Sequence, residues 1–199
     1  MPNDIILASG SEIRAQLLRN AGVDFRIEKA RLDEDMLKRS LEQEGATPRD
    51  IADGLAEAKA MKVSARNPDS LVIGCDQILD FGGKVFSKPT SMDDAREQLK
   101  TLRNKRHMLL SAAVIYRDGR PVWRHVGVVR LMMRDFSDDY LEEYLARNWE
   151  SIRWSVGSYK LEEEGVRLFT QVDGDYFNVL GLPLFELLTL LMASGDLKS

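Results

Sequence analysis

The chain has 199 residues, 44% hydrophobic and 30% charged, with a formal net charge of -4. That balance suits one globular domain over residues 1–199 with a sizeable core, and the negative charge argues against non-specific nucleic-acid binding. A single cysteine, Cys75, excludes an internal disulfide and points to a reducing, cytoplasmic setting, while the apolar run from Leu180 to Ala193 is too short and too broken by Gly181, Pro183 and Glu186 to cross a membrane.

In chain order, Ile5–Ala8 reads as a short strand and Glu12–Asn20 as a helix, with Ser11 as N-cap and Gly22 as stop. A second short strand is expected near Phe25–Glu28. The acidic cluster Asp33-Glu34-Asp35 lies outside any strong helical pattern, so the next helix is placed at Thr47, with Pro48 at its first position and Asp50 completing a cap. Leu71–Leu79 reads as a buried strand that turns at Gly82-Gly83 into Lys84–Phe86. A helix from Met92 to Leu102 carries Met92, Ala95, Leu99 and Leu102 on one stripe. Two long strands, His107–Tyr116 and Pro121–Arg134, meet at Asp118-Gly119. Ser137 caps a helix through Ala146. Leu168–Val172 and Tyr176–Leu180 read as a last hairpin, and Pro183–Met192 as a closing helix. Interleaved strands and helices with antiparallel hairpins make the chain α/β, or mixed α+β.

The run LASGSEIRAQLL, Leu7 to Leu18, carries the strongest chemical signal. Arg14 falls in the first turn of its helix, where the dipole disfavours a cation by roughly 0.3–1 kcal/mol. An anion would reverse that preference: helix amides, the hydroxyls of Ser9 and Ser11 and a guanidinium together make a phosphate cradle. The alternative is an ordinary capped helix with an exposed arginine. Asp76 interrupts the apolar strand LVIGCDQIL, a costly place for a carboxylate unless it binds a metal, a partner or solvent in a cleft; otherwise it is a strand-end Asp bonded to a turn. Gly74 permits a close approach by another backbone or a ligand. Lys59 continues the apolar stripe of Ile51 and Leu55, so it either snorkels or delivers an ammonium into a cleft. Pro89 holds Lys88 extended. Oxygen-rich clusters such as Asp33–Asp35 are usually solvated, yet they suit Mg²⁺ or Mn²⁺. His107 and His125 lack metal-type spacing and a nucleophile partner, so both read as structural or exposed.

Together the segments LASGSEIRAQL, LDED, AEAKA, GCDQ, SKP, GSYKLEEEG and DGDYFNVLGLP, in this order over Ile5 to Met192, resemble the Maf-type nucleotide pyrophosphatases. The resemblance implies an inosine-triphosphatase-like fold, an elongated mixed sheet flanked by helices with a central cleft. It implies hydrolysis of a modified or pyrimidine nucleoside triphosphate to the monophosphate and pyrophosphate, a house-cleaning role, and a cytoplasmic homodimer that binds neither nucleic acid nor membrane. It also implies a divalent metal, Mg²⁺, Mn²⁺ or Co²⁺.

By the same resemblance, Ser9, Ser11, Arg14 and Lys88 would hold the phosphates. Glu34 would help ligate the metal, Asp76 would be proton acceptor and second metal ligand, and Lys59 would be a phosphate-facing catalytic lysine. Gln77 and Glu162 stand where the dTTP- and UTP-cleaving branch has threonine and glutamine; the pairing favours 7-methyl-GTP, whose donor edge a carboxylate can accept. Tyr159, Phe177 and Trp154 are aromatic candidates either for stacking on a base or for the core. Three departures stand out. The family's Ser-Pro-Arg-Arg or Ser-Pro-Trp-Arg is here Ser11-Glu12-Ile13-Arg14, Ala15 replaces a further arginine of some members, and Glu163 replaces a common glycine. The missing arginine leaves open a non-catalytic, nucleotide-binding regulator of septum formation. An RNA-binding module is disfavoured by charge and by the lack of an aromatic-basic motif.

Overall fold

The computed structural model describes residues 4–198. Its strands are β1 (Ile5–Leu7), β2 (Arg26–Ile27), β3 (Leu71–Phe81), β4 (Lys84–Phe86), β5 (Arg106–Arg117), β6 (Arg120–Met133) and β7 (Phe169–Asp173). Its α-helices are α1 (Glu12–Asn20), α2 (Glu34–Gln43), α3 (Pro48–Ser64), α4 (Met92–Leu102), α5 (Asp138–Ile152), α6 (Tyr176–Val179) and α7 (Leu184–Ala193). The strands form one seven-stranded sheet in the order β2-β1-β3-β5-β6-β7, with β4 paired to β3. β1 runs parallel to both β2 and β3, in register Ile5↔Leu71 and Leu7↔Ile73. The β3–β4 and β6–β7 pairs are antiparallel. The expected mixed α/β class holds.

Local chemistry explains most element ends. α1 closes in a Schellman motif: Gly22 adopts φ 72°, its N–H donates to Arg19, and the Val23 N–H donates to Leu18. Thr47 and Asp50 form a reciprocal capping box on α3, and Ser91 and Ser137 cap α4 and α5 through side-chain bonds. Asp118 and Gly119 both take positive φ, as a two-residue hairpin turn requires. α5 continues past Ala146 to Ile152.

Two expectations are overturned. Asp33, Glu34 and Asp35 are not outside a helix: Asp33 accepts the Met36 N–H as N-cap of α2, and the two acids after it occupy the first turn, where the dipole favours them. Tyr176–Leu180 is not the second strand of a hairpin; its first residues form the short helix α6, and β7 pairs with β6 instead.

Contacts group the chain into two compact units. The first comprises the described residues up to Gln77, Leu110–Gly127 and those from Tyr176 onward. Its core gathers Ile5 and Leu7 of β1, Ala15, Leu17 and Leu18 of α1, Ile73 and Cys75 of β3, and Leu184, Leu187 and Leu191 of α7. α3 lies tight on β3 at Gly74, where a Cβ would fall 2.1 Å from the Ala56 carbonyl oxygen and 2.6 Å from the Ala60 nitrogen. The close approach expected at Gly74 is therefore that of a backbone.

The second unit comprises Ile78–Leu109 and Val128–Asp175. Tyr159 and Phe169 meet edge to face, and the Tyr159 hydroxyl lies 2.8 Å from His107 Nε2. His107 is 3% exposed, and burial drives its pKa down to about 4. Glu164 joins the α5 side chains Arg147 and Asn148, which hold its carboxyl down at about 2. Glu163 sits in extended backbone at φ -122°, so its position needs no glycine; its carboxylate accepts from Ser151 and pairs with Lys160.

Candidate active site

In the first unit the tight seat of α3 on Gly74 has a chemical consequence. Lys59 adjoins Ala60, and Asp76 stands two residues beyond Gly74, so the packing that needs glycine brings the two charges together. Lys59 Nζ donates to Asp76 Oδ1 at 2.7 Å and pairs with Glu34 Oε2 at 3.0 Å. Lys59 is 7% exposed and Asp76 8%. Lys59 thus does not snorkel, and Asp76 is no turn-bonded strand end. The ammonium joins two carboxylates from different elements, and neutralisation of this kind is what a buried charge requires. Lys59 keeps one of its three donors, and Asp76 Oδ2 has no partner among the described residues.

One residue back along β3, the Cys75 carbonyl accepts from Arg14 Nη1 at 3.1 Å. The same guanidinium donates through Nε to the Gly181 carbonyl at 2.8 Å and through Nη1 to Ser9 Oγ at 3.3 Å. Arg14 is 9% exposed, so it is no surface arginine, and its Nη2 has no hydrogen-bond partner among the described residues. Gly181 sits at φ 95°, and a Cβ there would press on Nε and Nη2 at 3.1 Å. Ser9 Oγ also accepts the Ser11 N–H at 3.2 Å, which leaves its own proton to donate elsewhere.

Ser11 is the N-cap of α1 by position, yet its hydroxyl makes no cap bond. The first-turn amides of α1, orphaned in any helix, therefore have no side-chain acceptor among the described residues. This is the preorganised end that anions occupy. Glu12 does not intrude, since it pairs with Arg19 at 2.6 Å. Ile13 packs against the apolar core and Ala15 is fully buried, so the two replaced positions belong to packing.

Gln77 is more constrained than its sequence position suggests. Its Nε2 donates to Ser111 Oγ, the Asn178 carbonyl and the Val179 carbonyl, each at 3.0 Å, leaving Oε1 as its remaining polar atom. Ser111 Oγ donates to the same Asn178 carbonyl at 2.6 Å. Gly127 makes room for this arrangement, because a Cβ there would fall 1.9 Å from Asn178 Oδ1. Lys38 lies one turn after Glu34 on α2, a helix the sequence pattern does not announce; burial lowers its pKa, and Asp76 is among the charges acting on it. The Cys75 thiol is pushed up to about 11 by burial, which makes it a poor nucleophile.

The structure therefore gathers Ser9, Ser11, Arg14, Glu34, Lys59, Asp76 and Gln77 in the first unit. Lys88 and Glu162 belong to the second, each exposed and without a partner among the described residues. Tyr159 is core rather than a free stacking surface, while Trp154 is exposed. No group of three or more His, Cys, Asp or Glu side chains arranged to hold a metal ion occurs among the described residues. Glu34 and Asp76 nevertheless present the hard oxygen donors that Mg²⁺ takes, one or two carboxylates with the remaining ligands from phosphate and water.

A model of the Maf-like proteins matches residues 4–194. A nucleoside triphosphate pyrophosphatase of Ruegeria sp. (strain TM1040) is 66% identical over 198 residues, 100% of each chain. One from Caulobacter vibrioides is 51% identical, covering 97% of this chain and 96% of the relative. A 7-methyl-GTP pyrophosphatase of Brucella abortus biovar 1 is 46% identical over 92% of each.

Proposed function

Because this chain belongs to the family of Maf-like proteins, we propose that it is a nucleoside triphosphate pyrophosphatase whose Lys59–Asp76 pair and β1–α1 turn form the reaction site. The substrate is split between its α- and β-phosphates into a nucleoside monophosphate and pyrophosphate. One observation carries the reading: a buried carboxylate held by a buried ammonium at 2.7 Å, one residue from the carbonyl that anchors Arg14.

Each group has a task that fits its bonding. The first-turn amides of α1, the Ser9 and Ser11 hydroxyls and Arg14 Nη2 are the donors left for phosphate oxygens. The third donor of Lys59 takes another; Lys88, in the second unit, is exposed and makes no ion pair among the described residues. With Oδ1 fixed by Lys59, Asp76 uses Oδ2 to orient the attacking water and accept its proton. Arg14 and the lysines offset the charge that grows on the leaving pyrophosphate. Glu34 and Asp76 would hold a divalent cation, Mg²⁺, Mn²⁺ or Co²⁺, which when bound polarises the phosphoryl group and neutralises charge.

For the base, 7-methyl-GTP is favoured over dTTP and UTP. The exposed Glu162 carboxylate is free to accept from guanine donors, Gln77 keeps its Oε1, and the Brucella relative bears that substrate in its name. The test is product analysis over 7-methyl-GTP, dTTP, UTP, CTP, pseudouridine triphosphate and inosine triphosphate. Monophosphate with pyrophosphate from one or two of them supports the reading. Diphosphate with orthophosphate, or no turnover with nucleotide still bound, would refute it, the latter in favour of a regulator.

A further inference from the structure

We infer that Lys29 is an additional phosphate-contacting residue, and that it supplies from β2 the positive charge that Ile13 and Ala15 do not supply from α1. The inference rests on the reading of the β1–α1 turn as the triphosphate site.

Parallel pairing puts it there. β2 follows β1 in register Leu7↔Ile27, and the next amide, that of Glu28, donates to the Leu7 carbonyl at 3.1 Å. Residue 29 is thereby carried alongside the Ser9-Gly10-Ser11 turn. Its stem lies on Gly10: a Cβ at Gly10 would meet Lys29 Cε at 3.1 Å, Cδ at 3.4 Å and Nζ at 3.6 Å. Gly10 takes no positive φ, so the observed constraint on this glycine is the lysine passing over it.

No acid neutralises this ammonium. Lys29 makes no hydrogen bond or ion pair among the described residues. Glu28 beside it is taken by Arg26 at 3.3 Å and Arg66 at 2.9 Å, and Glu12 on the first turn of α1 by Arg19. An unpaired cation beside the positive end of a helix whose N-cap hydroxyl is uncommitted is electrostatically disfavoured until an anion arrives. The chemistry that satisfies it is a polyphosphate chain, which Lys29 Nζ would contact together with Arg14 Nη2.

The experiment compares wild type, Lys29→Gln and Lys29→Arg in nucleotide turnover and in calorimetric binding of inorganic tripolyphosphate, at low and at high salt. Lys29 is exposed, so the variants keep the wild-type melting temperature. Lys29→Gln is expected to raise both KM and the tripolyphosphate Kd about tenfold, the worth of one charge-assisted contact. Its kcat stays within a factor of two, Lys29→Arg restores most of the loss, and the difference shrinks in roughly 1 M salt, where the screening length is about 3 Å. A Lys29→Gln protein that matches an active wild type in KM and Kd overturns the inference and leaves the pyrophosphatase reading intact. If wild type binds tripolyphosphate through Lys29 but cleaves no nucleotide, the inference holds and the reading fails. If wild type does not bind tripolyphosphate at all, the inference is overturned.

Discussion

Gly74 and Ala60 are in backbone contact: a Cβ on Gly74 would stand 2.6 Å from the Ala60 nitrogen and 2.9 Å from its Cβ. The contact fixes how far α3 stands from β3, and with it the reach of Lys59 to Asp76. Gly74→Ala must push α3 outward. It should lower unfolding free energy by about 1–3 kcal/mol, as overpacking does, and reduce kcat as well. Urea denaturation and turnover measured on one preparation check both effects. A stable variant with normal kcat would break the proposed link between packing and chemistry.

The Lys59–Asp76 pair is buried, so removing one partner strands the other. Lys59→Met leaves the Asp76 and Glu34 carboxylates without their shared ammonium and should cost about 3 kcal/mol of stability. Glu34 is half exposed and softens the loss in the opposite variant, Asp76→Asn, which should cost less. A double-mutant cycle should show the two changes coupled by more than about 1 kcal/mol. Additive effects would mean the contact contributes nothing of its own.

His107 makes stability pH-dependent. Its pKa falls from 6.5 to about 4 because burial penalises the imidazolium. The unfolded chain therefore binds the proton first on acidification. The contribution of the neutral imidazole is complete above pH 6.5 and is lost as pH falls from there toward 4, by about 3 kcal/mol in all. Denaturant midpoints from pH 7.5 to 4 should show the decline, and His107→Gln should flatten it. An unchanged slope in that variant would assign the acid lability elsewhere.

Gln77 ties the Asn178 and Val179 carbonyls to β3, and Arg14 ties the Gly181 carbonyl that follows. Gln77→Leu should cost about 1–3 kcal/mol because the Val179 carbonyl loses its side-chain donor, while the Asn178 carbonyl keeps that of Ser111, and should weaken all nucleotide substrates together. A change confined to the preference among bases, with stability untouched, would show that Gln77 reads the base and does not hold the loop.

Much of this was legible in the sequence because it is local. Gly22, Thr47, Ser137 and the Asp118-Gly119 turn mark element ends by capping and turn chemistry, and the structure keeps them; Ser11 holds the N-cap position without a side-chain cap bond. The misses have physical reasons. α2 buries no residue completely, so it writes no core-facing stripe, and its acids looked like a solvated cluster. Tyr176–Leu180 is a short apolar run, which periodicity alone cannot divide between strand and helix; the register of β7 on β6 and the anchoring of Asn178 and Gly181 decide it. Lys59 and Asp76 are visible in the sequence as charges in apolar contexts, and Arg14 as a cation in the first turn of a helix. Their partners are not, because Gly181 is 167 residues from Arg14 and Asp76 is 17 from Lys59. Lys29 and Lys38 left no sequence signal, since their relevance depends on strand pairing and on a helix that was not expected.

The most direct test of the central claim is the turnover of Asp76→Asn beside wild type, on the best nucleotide of the panel and with nucleotide binding measured on the same samples. Pyrophosphate release should fall by at least about a thousandfold, at the scale of a lost general base, while the variant remains folded and still binds nucleotide through the β1–α1 turn. Release at the wild-type rate from the folded Asp76→Asn protein would contradict the assignment of Asp76 and the mechanism built on it.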